Sequence, residues 1–259
     1  MHDLVTICED GARVGGAVLL DWQGRFGVQE KGPADLVTQA DLASQEAIQE
    51  VVARAFPDHA FVGEETGSAA RPEAEFCWIV DPLDGTTNYV HGYPFYSVSV
   101  AVESHGEVLA GAVFDPVSGE CFTAARGQGA RLDGKPISTS QVSTLSDALI
   151  AVSFPPKIGP ETREIRDFVE IASACQAIRR TGSAALNLAF LAAGRVDGYW
   201  AHTIYPWDVA AGALLVREAG GLVTAIDGGP FDVWRPAFVA SAGEPLHGEF
   251  RSYLDRGGG

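Results

Sequence analysis

The segment Trp78-Ile79-Val80-Asp81-Pro82-Leu83-Asp84-Gly85-Thr86-Thr87 constrains this chain more than any other. Its apolar run reads as a short buried strand that delivers two carboxylates three residues apart. Pro82 lacks a ladder donor, so the strand is expected to end there. Two carboxylates held this close repel each other unless a cation neutralises them. Hard cations such as Mg²⁺ take oxygen ligands, often one or two carboxylates with phosphate oxygens and water. Gly85, Thr86 and Thr87 can expose backbone N–H groups at a following helix start, which favours phosphate. Taken alone, the segment also reads as an Asp-rich turn with Thr capping the next helix.

Other acids repeat the arrangement. Gly63-Glu64-Glu65 follows the apolar pair Phe61-Val62, Asp208 follows Trp207 in the first turn of an apolar helix, and Asp41 stands as an N-cap before a second helix. Turn and capping preferences account for each of them singly. They do not explain why all of them fall at element ends. The D-x-x-D-G-T spacing is one residue longer than the D-x-D-G-T of aspartyl phosphatases of the haloacid dehalogenase type. No G-x-x-x-x-G-K-[ST] loop is present for ATP.

The 259 residues carry 18 basic and 34 acidic side chains, a formal charge of −16. A chain this acidic has no general attraction for nucleic acid or anionic membranes. With 46% hydrophobic and 20% charged residues it is globular rather than disordered. The N-terminus has acids where a signal peptide needs a basic region and an apolar run. The longest nearly apolar stretch, Ala184 to Ala193, is far short of the roughly 20 residues that span a bilayer. Cys8, Cys77, Cys121 and Cys175 are scattered and form no C-x-x-C pair, as expected of free thiols in a reducing cytosol.

Periodicity predicts two lobes of mixed helix and sheet. Leu4, Ile7, Val14 and Val18 mark one helix face, and a second helix is expected from Asp41 to Ala55. Strands follow at Phe95–Val102, Val108–Phe114 and Glu120–Ala125, with turn signals that indicate an antiparallel meander. Beyond the polar run from Ser138, strands near Ala148–Val152, Val196–Trp200 and Phe238–Ser241 alternate with helices. These helices are expected near Glu161–Ala174, Ser183–Gly194, Pro206–Gly220 and Leu246–Leu254. The expected division is residues 1–143 for an α+β lobe with the main metal site and 144–259 for an α/β lobe.

These segments together resemble the inositol monophosphatase family of Mg²⁺-dependent, lithium-sensitive-type phosphatases. Trp78 to Tyr89 matches its first signature, and Pro206-Trp207-Asp208-Val209-Ala210-Ala211-Gly212 the second. Asp35-Leu36-Val37-Thr38 with Asp41, and Gly63-Glu64-Glu65, match its N-terminal motifs. Thr181-Gly182-Ser183-Ala184-Ala185-Leu186-Asn187 resembles its substrate loop. The matches run in family order over nearly the whole chain.

The resemblance implies an α/β, mixed α+β fold: the αβαβα layered sandwich of sugar phosphatases. It implies hydrolysis of small phosphate monoesters by in-line attack of a metal-activated water, with inositol monophosphate as default substrate. Glu64, Asp81 and the carbonyl of Leu83 would hold one Mg²⁺, and Asp81, Asp84 and Asp208 a second. A third, looser ion would visit Glu64, giving two to three ions in all. Glu65 would support those ligands, and Asp41 with Thr86 would orient the attacking water. Asp84, Gly85, Thr86, Gly182, Ser183 and Ala184 would contact substrate. A homodimer and a cytoplasmic location are also implied.

Two departures bear on specificity. The family's inositol phosphatases usually carry a hydroxyl-binding glutamate seven residues before the second-motif Asp; here that position is Ala201. His202 and Tyr205 are the neighbours that can compensate, unless the substrate differs. Histidinol phosphate, fructose 1,6-bisphosphate and 3′-phosphoadenosine phosphates are the alternatives. A catalytically weak metal-binding regulator on the same scaffold is the alternative of another class. The Lys31–Asp35 loop is one residue shorter than the usual form, which bears on Lys31 near the looser ion.

Overall fold

The computed structural model describes residues 3–25, 27–32, 35–66, 73–155 and 157–254. The side chains of 28–32 and 35–37, Lys31 and Asp35 included, lie outside the described set. Two helices, α1 (Leu4–Trp22) and α2 (Gln39–Ala55), flank an antiparallel ribbon of β1 (Val28–Gly32) and β2 (Asp35–Thr38) in the chain. A seven-stranded sheet follows in chain order: β3 (Ala60–Gly63), β4 (Phe76–Asp84), β5 (Ser97–Ser104), β6 (Glu107–Phe114), β7 (Cys121–Ala125), β8 (Ala130–Leu132) and β9 (Lys135–Pro136). β3 pairs parallel with β4, and β4 to β9 form the antiparallel meander. A short helix, α3 (Thr86–Val90), leaves β4.

The second sheet contains β10 (Leu149–Val152), β11 (Ala177–Arg179), β12 (Gly198–Ala201), β13 (Leu222–Ala225) and β14 (Phe238–Ser241). Its order is β11-β10-β12-β14-β13, with β10 parallel to both neighbours and the other pairs antiparallel. The remaining helices are α4 (Arg163–Ala174), α5 (Ala184–Ala192), α6 (Pro206–Glu218) and α7 (Leu246–Leu254).

Alternation along the strands sorts these elements into layers. On β4, Trp78 and Val80 pack with α1 and α2, while Cys77 and Ile79 face a central core with α5 and α6. On β12 and β14, Tyr199, Ala201, Phe238 and Ala240 join that central core, whereas Trp200 and Val239 pack with Ile171 of α4 and Phe250 of α7. Successive side chains point to opposite faces, so each sheet serves two cores. The result is the expected helix–sheet–helix–sheet–helix sandwich. Helix α6 lies tight on the first sheet: a Cβ on Gly111 would sit 2.9 Å from Ala211 Cα. Any side chain there would push α6 outward, and α6 carries Asp208.

Two local expectations need correction. Pro82 does not end its strand: β4 runs on to Asp84, and its register with β5 shifts between Asp81 and Asp84. Proline is tolerated there because an irregularity, not a regular ladder step, occupies the position. Asp41 is not an N-cap. Thr38 caps α2, and Asp41 at N3 closes a capping box by accepting the Thr38 N–H at 2.9 Å.

Candidate active site

Asp81 and Asp84 come from the bulged end of β4, and Asp208 from the first turn of α6. One carboxylate oxygen from each lies within 4.8 Å of the others. Asp81 and Asp84 are buried and Asp208 half-buried. Burial, then the charges of Glu64, Asp84 and Asp208, push the Asp81 carboxyl well above its ordinary range. Asp208 is raised the same way, by burial and then by Asp84 and Glu64. Two buried acids and a half-buried one this close form an oxygen-only donor set that a hard divalent cation fits and neutralises. Glu64 opens the 3-10 turn that directly follows β3, the strand beside β4, and its charge is felt at both Asp81 and Asp208.

Asp84 is gripped from the far side. Ser183 Oγ donates to its Oδ2 at 2.5 Å, and the backbone N–H groups of Ala184 and Ala185 donate at 3.0 and 2.7 Å. Ser97 Oγ adds a contact at 3.3 Å. These donors stabilise the charged carboxylate at the start of α5, opposing burial, which is the larger effect and raises the group. The Ser183 hydroxyl and the Ala184 N–H thus both bond Asp84. Gly182 lies next to Gly85, with its carbonyl 3.3 Å from where a Gly85 Cβ would stand. Gly85 has φ of +100°, which glycine adopts without penalty, and this starts α3 immediately after Asp84. Asn88 Nδ2 bonds the carbonyls of Phe95 and Thr181 at 2.7 and 2.9 Å, tying the two loops together.

Asp41 reaches the site from α2. Its Oδ2 is held by the N–H and hydroxyl of Thr38, and Thr86 Oγ1 stands 3.2 Å from its Oδ1. The same hydroxyl is 3.1 Å from the Leu83 carbonyl. Burial raises the Asp41 carboxyl to about 6, against the Thr38 hydrogen bonds that lower it. Glu65 adds its charge to Asp41 and donates its N–H to Gln45 Oε1 at 3.1 Å. Leu83 N donates to Asp81 Oδ1 at 3.0 Å, so the bulge shapes carboxylate and carbonyl together.

A cleft of about 180 Å³ opens from Asp84 and Asp208, lined among others by Ser153, Phe154, Arg180, Thr203 and Tyr205. Ala201 is not on its wall; it is fully buried opposite Phe238 in the central core. His202 turns away to Asp167, while the exposed Tyr205 lines the cleft and stacks on Trp207 with ring centroids 5.0 Å apart. Of the two compensating side chains, only Tyr205 borders the cleft. Ser97, Ser153, Phe154, Arg180 and Thr203 carry no local motif that would mark them in the sequence. Thr38 was legible, because T-x-x-D ahead of a helix is a capping-box pattern.

A layered sandwich with an acidic cluster that could hold a cation is the architecture expected of a metal-dependent phosphatase. The model of the inositol monophosphatase family matches residues 3–256, and the chain belongs to that family. It is a phosphoric monoester hydrolase by that membership, and the family is metal-dependent. The inositol-1-monophosphatase of Synechocystis is 38% identical over 251 residues, covering 96% of this chain and 87% of the relative. The Nus factor SuhB of Escherichia coli K12 is 40% identical over 233 residues, covering 88% and 87%. The solved inositol monophosphatase of Anabaena superposes with a TM-score of 0.84 at 36% identity, covering 97% of this chain and 94% of that one. Among the described residues, no helix is long and apolar enough to cross a membrane.

Proposed function

We propose that the chain hydrolyses small phosphate monoesters, inositol monophosphate by default, by in-line attack of water with no phosphoenzyme. The carrying observation is the Asp81–Asp84–Asp208 cluster beside the Asp41–Thr86 pair. Asp81, Asp84 and Asp208, with Glu64 and the Leu83 carbonyl, would hold two to three Mg²⁺. Bound Mg²⁺ supplies charge neutralisation of the phosphate and a more acidic water.

The protein's own groups do the rest. Thr38 locks one Asp41 oxygen, leaving the other to accept the Thr86 hydroxyl proton. Thr86 then has lone pairs free to accept a hydrogen bond from the attacking water, and Asp41 draws proton density through it. Gly85 and Thr86 present backbone N–H groups to phosphate oxygens, and Glu65 supports the ligand set. The donors on Asp84 support a holding role for Ser183 and Ala184, with Gly182 as the substrate-facing backbone of that loop. We extend the reading to a cytoplasmic homodimer with lobes 1–143 and 144–259.

A phosphate-release screen with and without Mg²⁺ tests this, using inositol monophosphate, histidinol phosphate, fructose 1,6-bisphosphate and a 3′-phosphoadenosine phosphate. Mg²⁺-dependent release from one of them well above the rest is expected. A trapped phospho-aspartate would refute the direct mechanism.

One observation favours a second reading: relatives 40% identical carry the name Nus factor. Under it the chain is a catalytically weak metal-binding regulator. The expectation of no nucleic-acid partner, which rests on net charge alone, is then tested by direct binding to RNA and DNA. Absence of wild-type activity on every phosphate monoester would favour this reading.

A further inference from the structure

Asp167 of α4 is fully buried and plays no part in the carboxylate cluster. His202 Nε2 stands 2.5 Å from its Oδ2, a distance at which the ring N–H donates to the carboxylate. Arg163 Nε lies 3.5 Å from the same oxygen, and Arg163 Nη2 donates to the Leu254 carbonyl at 3.1 Å, at the end of α7. A buried carboxylate is costly, and its partners are therefore held in place. His202 immediately precedes Thr203, Ile204 and Tyr205, which form one wall of the cleft. Phe154 also lines the cleft, and its ring meets Phe168 edge-on with centroids 5.7 Å apart. Asp167 and Phe168 are consecutive on α4. One turn of one helix thus holds two of the segments that border the cleft.

We propose that α4 sets the width of the cleft on its substrate side, with His202, Asp167 and Phe168 as positioning residues for the alcohol portion of the substrate. This rests on the phosphatase reading and deepens it. The phosphate end is held by β4, α2, α3 and α6. The alcohol end faces Phe154, Arg180 and the 203–205 wall, whose shape depends on the His202–Asp167 contact. A loosened wall weakens ground-state and transition-state binding alike, which raises KM and leaves kcat unchanged.

The test compares wild type with His202→Ala, His202→Gln and Phe168→Leu on inositol monophosphate and 4-nitrophenyl phosphate. For His202→Ala we expect KM for inositol monophosphate to rise on the order of tenfold with kcat within about twofold. His202→Gln, whose amide N–H can reach Asp167, restores KM. Phe168→Leu gives a similar rise through its contact with Phe154. Tyr205 N–H donates to Asp208 at 2.8 Å, so Mg²⁺ half-saturation is measured alongside. A parallel rise there would overturn the proposal and put the effect at the metal ligand. Unchanged KM in His202→Ala would also overturn it. Hydrogen exchange of segment 202–207 needs no catalysis: faster exchange in His202→Ala supports the positioning role, and unchanged exchange refutes it. Loss of wild-type activity on both substrates would instead refute the phosphatase reading and leave the exchange result to decide the role of α4.

Discussion

Ser183→Ala separates two roles for the loop before α5. The hydroxyl donates to Asp84 Oδ2 at 2.5 Å and accepts the Leu186 N–H at 3.3 Å as the helix cap. Losing a cap costs about 1 kcal/mol, and losing a hydrogen bond to a charged group about 1.5–3 kcal/mol. Both act through one hydroxyl, so they overlap, and a net loss of about 2 kcal/mol is expected. For a chain of this size that lowers Tm by about 4–8 °C. The hydroxyl favours charged over protonated Asp84, so its loss pushes that carboxyl further up from its already raised position. A loss of about 1.4 kcal/mol on the charged form raises the half-saturating Mg²⁺ on the order of tenfold at neutral pH. The assay is Mg²⁺ titration of phosphate release, with Tm measured on the same samples. Ser183→Thr keeps the hydroxyl and should recover both. An unchanged Mg²⁺ requirement with a raised substrate KM would refute the reasoning and return Ser183 to a substrate contact.

Asp81→Asn should abolish Mg²⁺-dependent activity while raising the Tm of EDTA-treated protein by about 3–6 °C, on the order of 1–2 kcal/mol. It does so by removing one buried acid from a cluster of three that repel one another; an active mutant would sink the metal assignment. Stabilisation by Mg²⁺ should grow between pH 5 and 7. Asp41 at about 6 and the raised Asp81 and Asp208 contribute stability to the metal-free fold below their unfolded pKa and lose it as pH rises through their folded values. Thermal melts with and without Mg²⁺ check this, and a gap that narrows with pH would contradict it. His59 is stacked between Phe56 and Phe76 and accepts Trp78 Nε1–H at 3.1 Å. Burial lowers its pKa, so its contribution is present above about pH 6.5 and lost as pH falls. His59→Phe should flatten the acid limb of the Tm profile, and an unchanged limb would exclude His59 as its source.

The acids were legible in the sequence because each ends an element whose period or turn chemistry is local. Asp81 and Asp84 follow a three-residue apolar run, and Asp208 follows Pro206-Trp207 at a helix start. The central meander was legible for the same reason, since alternation and Gly or Pro turns mark each strand. The short strands β8, β9, β11 and β13, with two to four residues each, carry too little pattern to read and form only because neighbours supply their partners.

What the sequence determined alone was the chemistry: which acids end elements, and that their joint order belongs to a metal-dependent phosphatase family. The tertiary structure decided which groups converge. Strand β4 runs through Pro82 because β5 accommodates a register shift, a long-range pairing that no local signal carries. The N-terminus of α5 closes on Asp84 across about 100 residues of chain, a convergence that no local signal carries. His202 turns to α4 and Ala201 into the core because strand alternation and sheet packing, not proximity to Asp208 in sequence, set which way each side chain points.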